Sequence, residues 1–380
     1  MKDKFGPEYI LRVYDASIGM EGFLVVDNTI LGPGKGGIRM TAGVTQEEVF
    51  RLARTMTWKN AIAGIPFGGA KAGIVWPGGS DELKKKFVQS FAKKIKPLMP
   101  KFYIAGPDVN TGEREMQWFV EATGNLKNAT GKPANLCMKM NGKIGEKCGI
   151  PHEFGSTGFG VAKSAEIAAK IKGIDIKNCK VAIHGFGNVG TFAYKHLSDA
   201  GATVVALADS SGAIFSEKGF DRKEMEKIIK ERKLLKECVG YKKISDEDFW
   251  KIPVDILIPA SVTDVINEKN KKGIKAKIIV EGANIPMTEE IERELFGRGT
   301  LIVPDFIANA GGVISSYAEY RGYSPEKMFK LVEKKITDSV QLVLEQSLKT
   351  GKNPRDIAFE IARKKVELAM KIKSDGLFKK

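Results

Sequence analysis

Residues 181–190 read VAIHGFGNVG, and no other stretch constrains the fold of this chain as tightly. Gly185, Gly187 and Gly190 form a G-x-G-x-x-G where an apolar, strand-like run ends and a helical one begins. Such a turn lets backbone approach a pyrophosphate and aims a helix N-terminus at it, with Asn188 and Val189 inside the loop. The surroundings complete the signature: a helix predicted over 189–199, Gly201 to stop it, a strand over 203–208, then Asp209, 19 residues beyond Gly190 and placed to bond an adenosine ribose hydroxyl. Incidental glycines would leave Asp209 without a role. The stretch predicts a bound nicotinamide dinucleotide. Asp209 favours the unphosphorylated ribose of NAD, while Ser210 and Ser211 offer hydroxyls to the 2′-phosphate of NADP with no Arg immediately after to clamp it. The balance tilts slightly to NAD.

From about residue 156 this texture repeats. Short buried strands (KVAIHGF, TVVALAD, VDILIPA, KIIVEGA and TLIVPDF) alternate with helical stretches, the pattern of a doubly wound parallel sheet. A chain of 380 residues is long enough for about two domains. The predicted fold is α/β: a substrate-binding and oligomerisation domain over 1–152, a Rossmann-like dinucleotide-binding domain over 153–324, and C-terminal helices over 325–380 packing back on the first domain. Within the first domain a helix opens at Thr45, with Glu48 in capping-box position, and runs toward Lys59 before Gly64 and Pro66. A second helix, in DELKKKFVQSFAKKIKPLM, turns Leu83, Phe87, Phe91 and Ile95 inward. The segment MKMNGKIGEKCGIP reads as an exposed excursion.

A formal charge of +15 raises the possibility of a nucleic-acid partner. The lysines, however, spread along amphipathic segments, where a solvated helix face accounts for them. No apolar run reaches the roughly 18 residues of a membrane span, and MKDKFGPEYI lacks the apolar core of a secretory signal, so a soluble, cytoplasmic protein is expected, with no membrane or nucleic-acid partner. Cys137, Cys148, Cys179 and Cys238 are irregularly spaced without a C-x-x-C pair, and read as buried or idle thiols in a reducing compartment. Cys148 and His152 alone are too few ligands for a metal, and none is expected.

Residues 64–74, GIPFGGAKAGI, place one charge, Lys71, among glycines and apolar side chains. A surface turn with a solvated lysine is one reading; a phosphate loop fails because Ala72 stands where Ser or Thr is needed. The third is a lysine desolvated for chemistry, its pKa depressed by burial. Lys35 in GPGKGGIR and Lys59 in MTWKNA have similar surroundings, and Asp108 lies in AGPDVNTGEREM. Three such lysines would repel one another unless they converge on an anion, and a dicarboxylate fits that pattern.

At this point the sequence resembles the glutamate/leucine/phenylalanine/valine dehydrogenase family, glutamate dehydrogenase in particular. The resemblance runs through LGPGKGGIRM, LARTMTWKNA, IPFGGAKAGI, PDVNTGEREM, STGFG, HGFGNVG, EGANIPMT and PDFIANAGGVISSY, nearly the whole chain. It implies a substrate domain beside a Rossmann domain with the active site in the cleft, a homohexamer, and reversible oxidative deamination of L-glutamate to 2-oxoglutarate and ammonia with hydride passing to NAD or NADP. By the same resemblance Lys71 is the catalytic lysine, Asp108 shuttles protons to the substrate amine, and Lys59 holds the α-carboxylate. Lys35 and Ser316 match the pair that recognises the side-chain carboxylate, with Gly106 and Val313 lining that pocket. Thr157, Asn188, Asn284 and Asn309 match dinucleotide contacts, the last two near the nicotinamide.

Three departures stand out. AGPD replaces the more usual Pro-Ala before Pro-Asp, which is expected to loosen the pocket wall at Gly106. The segment leading to STGFG is longer than usual and adds Cys148, Pro151 and His152. The N-terminus is short in the manner of the branched-chain enzymes. Two rival readings remain: the same chemistry on an apolar amino acid, with Lys35 turned outward, and a basic nucleic-acid-binding protein built on a dinucleotide fold.

Overall fold

The computed structural model describes residues 2–140 and 143–375. The chain divides into two compact units: Met1–Phe154, Val313–Leu331 and Phe359–Lys380 in the first, Gly155–Gly312 and Val332–Ala358 in the second.

The first unit is built on a mixed sheet. Its strands are β1 (Tyr9–Asp15), β2 (Met20–Asn28), β3 (Gly34–Lys35), β4 (Ile38–Thr41), β5 (Gly68–Val75) and β6 (Tyr103–Ile104), in the order β1-β2-β5-β3-β6 with β4 also on β5. The stretch singled out for Lys71 is therefore a central strand, not a turn. Side chains alternate along it, and each face has its own packing. Ala70, Ala72 and Ile74 join Leu24, Val26, Phe87 and Phe91 in the main core. Gly69, Lys71 and Gly73 point the other way, toward helix α1 (Gln46–Ile62). A Cβ at Gly69 would stand 2.0 Å from Thr57 Oγ1 and 2.6 Å from Ala53 O, and one at Gly73 would meet Val44 and Val49. The glycines flanking Lys71 are thus the contact surface for α1, which explains the run that sequence alone left ambiguous.

Helix α1 begins as expected, with Thr45 accepting from the Glu48 amide. The Glu48 carboxylate does not return to the cap; it reaches Arg39 on β4 at 2.5 Å. Helix α2 (Asp81–Ile95) buries Phe87, Phe91 and Ile95 as predicted, with Leu83 half-buried, beside α3 (Glu113–Thr123). A hairpin of β7 (Cys137–Met140) and β8 (Lys143–Cys148) follows. The excursion is therefore an ordered strand pair at its base, and residues 141–142 lie outside the described residues.

In the second unit, α4 (Ser156–Ile171), β9 (Lys180–His184), α5 (Asn188–Asp199) and β10 (Thr203–Asp209) lead into β11 (Gly212–Phe215), α6 (Arg222–Glu231), β12 (Lys242–Ile244), α7 (Asp246–Phe249), β13 (Ile256–Pro259), β14 (Ile278–Val280), α8 (Glu289–Gly297), β15 (Leu301–Val303) and α9 (Asp305–Ala308). The sheet order is β12-β11-β10-β9-β13-β14-β15, with β10 through β15 parallel along that path. All five predicted strands are present. The antiparallel pair β11 and β12 extends one edge and was not anticipated. Helices α10 (Gly311–Tyr320), α11 (Pro325–Thr350) and α12 (Pro354–Ser374) complete the chain. Among the described residues no helix is long and apolar enough to cross a membrane.

Candidate active site

Strand register brings the first-unit candidates together. Lys35 on β3 pairs with Gly69 on β5, and Arg39 on β4 pairs with Gly73. Directly paired residues share a face, so Lys35, Lys71 and Arg39 all project on the side covered by α1. Lys59, half-buried near the C-terminal end of α1, belongs to the same layer.

Lys71 is 5% exposed, and its Nζ donates to Asp108 Oδ1 at 2.7 Å. Arg39 Nε donates to Asp108 Oδ2 at 2.9 Å. Burial alone would raise the Asp108 pKa; the two cations outweigh it and hold the carboxyl at about 2. Its backbone is fixed as well, since Thr111 Oγ1 accepts from the Asp108 amide and donates to Ile38 O.

Lys35 is 3% exposed and donates to Ala105 O at 3.0 Å. Burial lowers its pKa from 10.5 to about 7, with Glu319 opposing the shift and Lys71 and Lys132 adding to it. A Cβ at Gly106 would stand 2.2 Å from the Lys35 ammonium. The expected looseness at Gly106 is therefore absent: the lysine head fills the space a larger residue would take.

Helix α10 carries Val313 and Ser316, both half-buried. Two contacts anchor it within the first unit. Tyr317 and Tyr320 pack edge-on against Phe67, each at 5.5 Å. Buried Glu319, one turn beyond Ser316, accepts from the amides of Gly131 (2.7 Å) and Ile150 (2.9 Å) and from Lys132 Nζ. Sequence reasoning missed Arg39, Lys132 and Glu319.

Glu319 also ties the segment after β8 into this unit. Cys137 and Cys148 form a disulfide at the base of the hairpin, correcting the expectation of idle thiols. The bond also removes Cys148 as a metal partner for His152, which lies on a short helical turn, His152–Phe154. Among the described residues no group of three His, Cys, Asp or Glu side chains could hold a metal. Cys179 and Cys238 are buried free thiols, and burial foremost pushes Cys179 up to about 11. Closing the 11-residue separation is worth about 3 kcal/mol on a chain-entropy account. Dithiothreitol is therefore expected to lower the melting temperature of the wild-type chain by several degrees and to leave a C137S/C148S variant unmoved; calorimetry with and without reductant checks this.

In the second unit, the glycine turn is shaped by close approach. A Cβ at Gly190 would stand 1.8 Å from Gly185 O, and one at Gly185, where φ is +109°, would meet the backbone of Ala260 and Ser261 at 2.6 Å. Gly187 has open space where its side chain would be and caps α5 without a side-chain acceptor. The first turn of α5, with Asn188 and Val189, thus presents backbone amides to an open cradle, which suits a pyrophosphate.

Asp209 ends β10 beside this cradle. Its Oδ1 accepts from the Ser211 amide and hydroxyl at 2.7 and 2.5 Å, and its Oδ2 from the Leu235 amide at 2.7 Å. Ser210 is exposed at the turn. At the other end of the site, Asn309 Nδ2 donates to Asn284 Oδ1 at 2.9 Å and to Gly282 O at 3.3 Å. Thr157, in the first turn of α4, lies close by: a Cβ at Gly311 would stand 2.0 Å from Ser156 O and 3.1 Å from the Thr157 Cα. A dinucleotide fits these residues, with amides for its phosphates at one end and paired side-chain amides at the other.

Residues 148–374 match the model of the Glutamate/Leucine/Phenylalanine/Valine dehydrogenase family, and residues 11–125 that of the Glu/Leu/Phe/Val dehydrogenase dimerisation domain. Glutamate dehydrogenase of Aeropyrum pernix is 37% identical over 368 residues, covering 91% of this chain and 85% of its own. NAD-specific glutamate dehydrogenase of Clostridioides difficile is 35% identical, covering 96% and 89%. NADP-specific glutamate dehydrogenase of Saccharolobus shibatae is 34% identical over the same shares. Among solved structures, glutamate dehydrogenase of Peptoniphilus asaccharolyticus aligns with a TM-score of 0.79 at 28% identity, covering 97% of this chain and 92% of that one. With a buried lysine–aspartate pair in one unit, a dinucleotide cradle in the other and this likeness across both, the chain belongs to the glutamate/leucine/phenylalanine/valine dehydrogenase family.

Proposed function

We propose that this protein catalyses the reversible oxidative deamination of L-glutamate to 2-oxoglutarate and ammonia. The observation that carries the substrate choice is Lys35, a buried cation on the same sheet face as Lys71. A buried lysine costs stability unless an anion meets it, and a side-chain carboxylate is that anion. Ser316 supplies a hydroxyl to the same carboxylate, Val313 and Gly106 form the pocket wall, and Lys59 takes the α-carboxylate.

The bound dinucleotide supplies the hydride acceptor. Lys71 donates to the developing carbinolamine and carbonyl oxygen, and it assists the water that attacks the imine. Asp108 moves protons to and from the substrate nitrogen. With Lys71 and Arg39 both bound it is too acidic for that work; when Lys71 turns to a substrate oxygen, Asp108 keeps only Arg39 and becomes more basic. The Lys71–Asp108 pair is thus the resting form of the acid–base couple.

Asp209 supports NAD over NADP, because a carboxylate held at the end of β10 repels a 2′-phosphate. The relatives divide between NAD-specific and NADP-specific enzymes. Assembly as a homohexamer, also proposed here, is supported by the match to the dimerisation domain.

The experiment is initial-rate formation of reduced cofactor, with glutamate, leucine, valine and phenylalanine each tested against NAD and NADP. Turnover is expected with glutamate and to be faster with NAD. Turnover with leucine or valine alone would mean that Lys35 reads no carboxylate, and salt-sensitive retention on DNA with no turnover would favour the nucleic-acid reading.

A further inference from the structure

In the second unit, Arg355 opens α12 in a place where a cation is electrostatically unfavourable, since the positive end of the helix dipole lies there. It is 9% exposed, and three carboxylates surround it. Nε donates to Glu292 Oε2 at 2.5 Å, Nη2 to Glu281 Oε2 at 2.7 Å and Nη1 to Asp305 Oδ1 at 3.0 Å. Three acids around one guanidinium exceed what charge balance needs. Glu281 Oε1 is buried without a hydrogen-bond partner, and burial raises the pKa of the Glu281 and Glu292 carboxyls despite Arg355.

Two of the three acids lie on the segments that carry Asn284 and Asn309: Glu281 follows β14, and Asp305 opens α9, which Asn309 closes. Glu281 Oε2 accepts from the Asp305 amide at 2.7 Å, which joins the ends of β14 and β15. Asp305 Oδ2 accepts from the Ile285 amide at 3.0 Å. Ile285 has φ +49°, a conformation that a β-branched residue adopts only when its surroundings enforce it. The Asp305 carbonyl in turn accepts from the Asn309 amide at 2.9 Å. A chain of bonds therefore runs from the guanidinium through Asp305 to the residue after Asn284 and to Asn309 itself.

We propose that Arg355 is a positioning residue for the cofactor site: by clamping Glu281 and Asp305 it holds Ile285 in its strained conformation and so fixes the side-chain amides of Asn284 and Asn309. The inference rests on the reading that these two asparagines face the nicotinamide end of the dinucleotide. Arg355→Lys keeps the charge but gathers its donors on one nitrogen of a flexible stem, without the rigid planar fork that spans three carboxylates, whereas Arg355→Met removes both charge and donors.

The test uses the full-length enzyme with Arg355→Lys, Arg355→Met and, as a reference, Asn309→Ala, each checked for folding by circular dichroism. Cofactor KM, glutamate KM and kcat are measured at saturating co-substrate, and binding of reduced cofactor is followed by its fluorescence. The expected result is a cofactor KM and Kd raised about tenfold or more in Arg355→Met and less in Arg355→Lys, with glutamate KM within about twofold of wild type. A merely structural role would lower the active fraction and leave cofactor KM unchanged, and that outcome overturns the proposal. If Arg355→Met does not fold, Arg355→Lys decides by the same criterion. Asn309→Ala with wild-type constants would overturn the underlying reading of the asparagines, and the proposal with it. An impaired Asn309→Ala beside wild-type cofactor constants in every Arg355 variant that folds would overturn the proposal alone.

Discussion

Replacing Lys71 with alanine is expected to reduce glutamate turnover by roughly 10⁴-fold or more, because on the proposed mechanism it removes both an acid–base group and the main stabiliser of negative charge on the substrate oxygen. Cofactor affinity should stay within about twofold, since the proposed dinucleotide cradle, from Gly185–Gly190, Asp209 and the Asn284–Asn309 pair, does not include Lys71. The fold should survive. Lys71 is flanked by Gly69 and Gly73, whose contacts with α1 do not involve its side chain. Asp108 would retain Arg39 as a partner, but its pKa would rise from about 2, because one of the two cations holding it down is gone. Steady-state rates with direct titration of reduced cofactor check both halves. Wild-type-like turnover would remove Lys71 from the mechanism, and weakened cofactor binding would mean that the substitution had disturbed more than the site.

The parts of this enzyme that sequence made legible are those dictated by local backbone demands. Gly190 is required by a contact inside its own turn, with Gly185 O, and Gly185 by its φ of +109°, and so both announce themselves within ten residues. The five parallel strands were visible because each is a short apolar run. Strands β11 and β12 were not: GAIF and KKI are too short, and the second too charged, to show a buried pattern. Around Lys71 the glycines hid the alternation that would have identified a strand, since a period of two cannot be read where one face is Gly-x-Gly. Arg39 could have been found, because I-R-M-T alternates and places Arg39 on the face opposite Ile38 and Met40. Lys132 and Glu319, 187 positions apart, carry no local signal of their contact. The same holds for Arg355 and Glu281, 74 apart. A disulfide across an 11-residue separation was compatible with the sequence, but irregular spacing gave no reason to prefer it to free thiols.

Replacing Lys35 with methionine should stabilise the protein while removing its activity on glutamate. The folded chain binds the Lys35 proton more weakly than the unfolded chain does, with a pKa of about 7 against an ordinary 10.5. Between those values the unfolded state therefore holds more protons, and stability attributable to this residue rises with pH. Below about pH 7 both states carry the charge and the whole penalty is present; near pH 10.5 it has vanished. At about 1.4 kcal/mol for each tenfold change in proton affinity, the gap sets an upper bound of roughly 5 kcal/mol. Lys35→Met should then melt several degrees above wild type at pH 6, with the advantage shrinking as the pH rises toward 10. Activity should move the opposite way. A glutamate carboxylate left unpaired in that pocket costs roughly 3–5 kcal/mol, so kcat/KM for glutamate should fall by about 10² to 10⁴-fold, and norleucine or methionine should become the better substrate. If Lys35 reads the side-chain carboxylate as proposed, glutamate must find it charged, so its KM should rise by about tenfold at pH 8 relative to the acidic plateau, a dependence absent for any substrate of the variant. Melting curves across pH and a KM profile with both substrates test these consequences together. A destabilised variant that still prefers glutamate would show that Lys35 is held by its neighbours for structure, not by a substrate for recognition.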